Sequence, residues 1–83
     1  MISEDSVRVL LKREIAVITD GKAETIDENA HLADIGVDSL QALQLLVLLE
    51  REYALTFEDV DLKHFRSINS VVSLVTSRLS AAA

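Results

Sequence analysis

The stretch GVDSLQALQLLVLLEREY, Gly36 to Tyr53, decides the fold. Asp38 precedes a run free of glycine and proline, and its side chain suits the unpaired amides of a helix's first turn. Behind it Leu45, Leu49 and Tyr53 recur at i, i+4 and i+8, with Ala42 and Leu46 on the same side. Residues 39–53 therefore read as a helix that turns those five side chains to a core.

Working outward, the same spacing returns at both ends of the chain. Ser3, Glu4 and Asp5 make a helix start, and Val7, Leu10, Leu11, Ile15 and Ile18 follow at steps of three and four until Thr19-Asp20-Gly21 stops them. From Asp20 to Asp38 there is no sustained period. Ile26, Leu32 and Ile35 are isolated anchors in an acidic segment, read as a long ordered loop, and a loop of that length in a compact unit calls for a function. After a turn at Ala54-Leu55-Thr56, Glu58 to Phe65 reads as one or two helical turns with Val60, Leu62 and Phe65 inward, too short to stand without packing. Ser67 then caps a last helix whose Ile68, Val71, Val72, Val75 and Leu79 form a third stripe, with Leu74 beside it. The expectation is an all-α bundle over residues 1–83 as a single unit. It has three main helices, one short helix, a long loop between helices 1 and 2, and a fraying tail at Ala81-Ala82-Ala83.

Composition agrees with that class. Of 83 residues 41 are apolar, only three are aromatic, two are glycine and none is proline, which leaves little material for the turns of a barrel or sandwich. Cysteine is absent, so neither a disulfide nor a thiolate metal site is available, and a reducing, cytoplasmic setting fits. Charges scattered through the first twenty residues are unlike a signal peptide, and the longest apolar run, Leu45 to Leu49, is far short of a membrane span. A soluble chain that keeps its N-terminus is expected.

The net charge of −6 is unevenly spread. Residues 1–19 balance at three acids and three bases, and residues 62–83 hold only Lys63, Arg66 and Arg78. Residues 20–61 hold eleven acids against Lys22 and Arg51, a block of −9. Such a block repels nucleic-acid phosphates and attracts basic partner surfaces. The inventory for catalysis is poor. His31 and His64 are the only imidazoles, they lack metal-ligand spacing, and they read as surface or structural residues; no base is evident beside a nucleophile.

Gly36-Val37-Asp38-Ser39-Leu40, followed by Leu45-Leu49-Tyr53 with Glu50 and Glu52, an acidic short helix and a Val-rich last helix, resembles the acyl and peptidyl carrier proteins of fatty acid, polyketide and nonribosomal peptide assembly. The resemblance spans nearly the whole chain, and that context identifies a short motif better than its letters do. It implies a non-enzymatic carrier in which Ser39 is esterified to 4'-phosphopantetheine from coenzyme A, whose thiol holds cargo as a thioester. It also implies that Asp38 caps the helix and presents the serine, that Gly36 permits a tight backbone approach, and that Leu40 makes a docking contact. The implied partners are a phosphopantetheinyl transferase, an acyltransferase or adenylating loading enzyme, and synthase modules, with no nucleic acid, membrane or metal and a monomeric carrier.

The chain departs from fatty acid carriers one turn into the second helix. Gln41 and Gln44 stand where acids are usual, and Leu40, Leu43 and Val47 form an apolar stripe. Partner docking is expected on that stripe, rimmed by Asp38, Glu50, Glu58 and Asp59 and interrupted by Arg51. The competing reading has Leu43 and Val47 half-buried against the loop through Ile35. The departure favours polyketide or peptide specialised metabolism, including antibiotic biosynthesis. An acyl carrier is preferred, an aminoacyl or peptidyl carrier is the alternative, and an unmodified acidic interaction module is the distant one.

Overall fold

The computed structural model describes residues 3–21 and 27–82, without the side chains of residues 81 and 82. Helix α1 spans Glu4–Ile18, α2 Ser39–Tyr53 and α3 Ile68–Ala82, and two 3₁₀ helices, Leu32–Ile35 and Asp59–His64, lie in the connections. No strand occurs among the described residues. Ser3 caps α1 by accepting the Ser6 N–H at 3.2 Å, while Ser6 Oγ receives the Ser3 N–H in return. Ser67 does the same for α3, its hydroxyl receiving the Ser70 N–H at 3.1 Å. α3 continues through Ala81 and Ala82, which the sequence reading assigned to a fraying tail; alanine is the best helix former and prolongs the turn already made.

The three stripes meet in one core. Val7, Leu11 and Ile15 of α1, Leu45 and Leu49 of α2, and Ile68, Val71, Val72 and Val75 of α3 are buried together, with α1 lying mainly against α3. Ile18, Ala42, Tyr53, Leu74 and Leu79 close its margins as half-buried side chains. Val37 and Phe57 also enter this core. No helix among the described residues is long and apolar enough to cross a membrane.

The α1–α2 connection is held by plugs and by polar ties. Leu32 and Ile35 are buried as expected, whereas Ile26 lies outside the described residues. Glu28 accepts from Lys12 at 2.5 Å and Arg8 at 3.3 Å, and its carbonyl receives the Asn69 N–H at 3.1 Å. Asn69 reaches Asn29 Oδ1 at 2.7 Å and accepts Arg8 at 2.6 Å. Residues 28 and 29 are thereby clamped between α1 and α3. The Lys12 hydrogen bond holds the Glu28 carboxyl below its ordinary range, against partial burial and with help from Arg8.

The connection before α3 corrects the sequence reading. Val60 and Leu62, expected inward, are 55% and 43% exposed, and Asp61 between them is only 4% exposed. The cause is electrostatic. Asp61 accepts the Glu58 N–H at 2.8 Å, and Arg78 of α3 donates to both its oxygens at 2.5 Å. A buried carboxylate with those donors fixes the rotation of a short 3₁₀ helix more firmly than two aliphatic side chains do. Phe65 remains inward, its ring edge-on to Phe57 at 5.9 Å.

Candidate functional site

The head of α2 is built by two successive turns. The first 3₁₀ helix ends at Gly36, whose φ of 94° is a left-handed value that glycine adopts without strain. Among the described residues a Cβ there would meet Thr19 Cγ2 at 3.7 Å, an ordinary contact, so the backbone angle of the turn and not crowding calls for glycine. The Val37 N–H then bonds the Leu32 carbonyl at 2.9 Å while its side chain is buried. That plug aims the next residue into solvent. Asp38 caps α2 by accepting the Gln41 N–H at 2.8 Å, and Gln41 Oε1 receives the Asp38 N–H at 3.0 Å. Gln41, which stands where fatty acid carriers have an acid, is the second half of a capping box.

Ser39 is the first residue of α2, exposed, and its hydroxyl has no hydrogen-bond partner among the described residues. A shallow cleft beside it is walled by Leu32, Ala33, Val37, Ala42 and Phe65 and edged by His31, Asp38 and Arg66. His31 thus shares a cleft with Ser39, which sequence reasoning did not foresee, since the two are eight positions apart across a turn. No hydrogen bond joins the two side chains.

Leu40, Leu43 and Val47 are 64%, 48% and 44% exposed. The stripe faces solvent and the half-buried reading fails. Val60 and Leu62 add exposed apolar surface that the pattern alone hid. Arg51, Glu58 and Asp59 are exposed. Glu50 is half-buried, and its Oε2 accepts the Phe57 N–H at 2.8 Å, so this carboxylate ties the turn after α2. No group of three or more acids and imidazoles that could hold a metal occurs among the described residues.

A family model described as the phosphopantetheine attachment site matches residues 6–75. The chain belongs to this family of carrier proteins. Its curated relatives include the polyketide-8 synthase acyl carrier protein 2 of Streptomyces avermitilis, 37% identical over 57 residues. That match covers 69% of this chain and 66%, just under two thirds, of the relative. An acyl carrier protein of Clostridium perfringens is 28% identical over 72 residues, 87% of this chain and 91% of that one. The crystal structure of an acyl carrier protein from Thermotoga maritima superposes with a TM-score of 0.72 at 27% identity, covering 93% of this chain and 95% of that chain. A carrier protein of this family is not an enzyme, and its cofactor is 4'-phosphopantetheine. The carrier protein's head of α2 fits such a group: covalent attachment needs an exposed hydroxyl on a rigid corner, and the capped first turn supplies one.

Proposed function

We propose that the chain is an acyl carrier protein of polyketide-type specialised metabolism, antibiotic biosynthesis included, and that Ser39 is its attachment residue. The observation that carries the reading is the exposed Ser39 hydroxyl, without a hydrogen-bond partner among the described residues, directly behind the Asp38 cap and inside the matched residues 6–75. In the attachment step Ser39 Oγ bonds to the β-phosphorus of coenzyme A. The pyrophosphate bond breaks, adenosine 3',5'-bisphosphate leaves, and the hydroxyl proton passes to a base of the transferase. When bound, the group supplies a terminal thiol that carries cargo as a thioester. The carrier's own residues hold the root of the arm: Asp38 and Gln41 fix the first turn, Gly36 the bend before it, and Val37 the plug beneath it. The free amides and dipole of α2 favour the phosphodiester's negative charge there.

The polyketide assignment is supported by the Streptomyces avermitilis relative and by the apolar stripe on α2. Leu40, Leu43 and Val47 form the docking surface for loading enzyme and synthase. Asp38, Glu58 and Asp59 are its acidic rim, Arg51 is a basic contact, and Glu50 adds charge while serving the turn. Residues 1–83 act as one monomeric carrier unit in the cytoplasm, where coenzyme A is supplied.

The test is intact-mass and peptide-level mass spectrometry after incubation with coenzyme A and a broad-specificity phosphopantetheinyl transferase. Wild type is expected to gain one phosphopantetheinyl group on Ser39, and Ser39→Ala none, with an unchanged circular dichroism spectrum. An adduct on another serine, or none on wild type, overturns the assignment. An aminoacyl adenylate, and no acyl donor, loading the modified protein overturns the acyl reading.

A further inference from the structure

The cleft beside Ser39 holds a cation where the local sign is negative. Arg66 is exposed and lines it together with Phe65, Leu32 and Ala42. Its backbone is fixed twice: the Arg66 carbonyl accepts the Leu32 N–H at 2.8 Å, and the Arg66 N–H reaches Ser70 Oγ at 3.3 Å. One bond ties it to the connection that leads into Gly36, the other to the head of α3. The Arg66 backbone is therefore held at a rigid junction, from which its exposed side chain extends. Among the described residues the ion pairs engage Arg8, Lys12 and Arg78, and Arg66 joins none of them.

Building on the reading of Ser39 as the attachment residue, we propose that this cleft is the resting berth of the phosphopantetheine arm, with the Arg66 guanidinium paired to the phosphodiester on Ser39. A phosphodiester at Ser39 is a permanent anion beside the Asp38 carboxylate, inside a block of charge −9. That like-charge repulsion is relieved by a planar, always-protonated donor fork, which matches phosphate oxygens. The wall of Leu32, Val37, Ala42 and Phe65 suits the geminal methyl groups that follow the phosphate in the arm. The arm thus rests toward the Phe65–Arg66 junction, to one side of the Leu40–Val47 stripe, and a docked partner draws it off. An exposed ion pair biases such an equilibrium by only about two- to five-fold, weak enough for release.

The test compares apo and phosphopantetheinylated forms of wild type, Arg66→Gln and Arg66→Lys, each verified by mass, in ¹H–¹⁵N correlation spectra at about 0.05 and 0.5 M salt. In wild type, attachment is expected to shift the amides of Leu32, Ala42 and Phe65 as well as those next to Ser39. Arg66→Gln should shrink the Phe65 and Ala42 shifts about two- to five-fold. Arg66→Lys should retain most of them, and salt should reduce them in wild type. Shifts confined to residues 38–41 in wild type, or equal in Arg66→Gln and at high salt, overturn the berth. Should apo Arg66→Gln differ from wild type throughout its spectrum, the lysine variant and the wild-type salt series decide the matter alone. An adduct absent or away from Ser39 overturns the attachment reading and the berth with it; an adduct on Ser39 without cleft shifts overturns the berth only.

Discussion

Leu49→Ala tests the rotation of α2, on which the exposure of Ser39 depends. Leu49 is 0% exposed and lies in the core that residues of all three helices share. Shortening it removes three carbons, a transfer loss of about 2.4 kcal/mol at ~0.8 kcal/mol each. Incomplete collapse around the cavity brings the total to about 2.7–5 kcal/mol. A chain of 83 residues holds about 4–12 kcal/mol in all, so the variant forfeits a large share of its stability. With a urea slope of about 1 kcal/mol/M, the midpoint should fall by about 3 M or more, or the domain should be unfolded without urea. Leu43→Ala, at 48% exposure, should cost about 1 kcal/mol or less. Gln44→Ala, on the exposed face, should be near neutral because alanine is the better helix former. Urea melts followed by circular dichroism give all three midpoints under one protocol. Equal shifts for Leu49→Ala and Gln44→Ala would mean that α2 is turned differently about its axis, and the placement of Ser39 and the apolar stripe would fall with it.

Ala54 closes α2 at φ 54°, a left-handed value costly for a residue with a Cβ; Ala54→Gly should raise stability by about 0.5–1 kcal/mol in the same melts. The Glu58 N–H, opposed by burial and aided by Arg78, holds Asp61 below its ordinary carboxylate value, and Lys12 does the same for Glu28. Their contribution is full above the ordinary pKa near about 4 and is lost as pH falls through the lowered folded values. Asp61→Asn and Glu28→Gln should therefore flatten the acid limb of a stability profile taken across about pH 3–7. Leu43→Glu and Val47→Glu, both at exposed positions, should raise the KM for loading several-fold or more with an unchanged thermal midpoint; loading at wild-type rates would remove the stripe from the interface.

The helices were legible in the sequence where one force dominated. The stripes of α1, α2 and α3 each bury an apolar face against the others, so period alone gave their existence and facing, and Asp38 and Ser67 marked two starts. The second 3₁₀ helix was not legible, because its rotation is decided by Arg78, seventeen residues away, through the buried Asp61. A lone basic residue on the inner side of the last helix is the signal that was available. Val37 and Phe57 escaped because each stands singly in an irregular connection, where no period reports burial. At the head of α2 the Asp38 cap was legible from local chemistry, whereas Ser39 and Gly36 were singled out through the resemblance. The cleft was not legible: it joins His31, the head of α2 and Arg66, three segments that only the folded chain brings together.

That division has a physical root in what a carrier must do. The proposed arm root and the proposed docking stripe share one helix, so their separation is a matter of rise per residue: Ser39 to Val47 spans eight residues, about 12 Å at ~1.5 Å each. Because Leu45 and Leu49 anchor that helix to the core and the capping box fixes its first turn, a partner seated on Leu43 and Val47 meets the arm root at a set distance and direction. Flexibility is left to the arm. In the proposed docking, the −9 block speeds encounter with basic partners without adding a deep interface, and the exposed apolar patch of three side chains lets go after each transfer. The connection into α2 is clamped by Glu28, Asn69 and the Leu32 amide for the same reason: any slack there would loosen the turn that positions Ser39, and would carry directly into where the cargo is delivered.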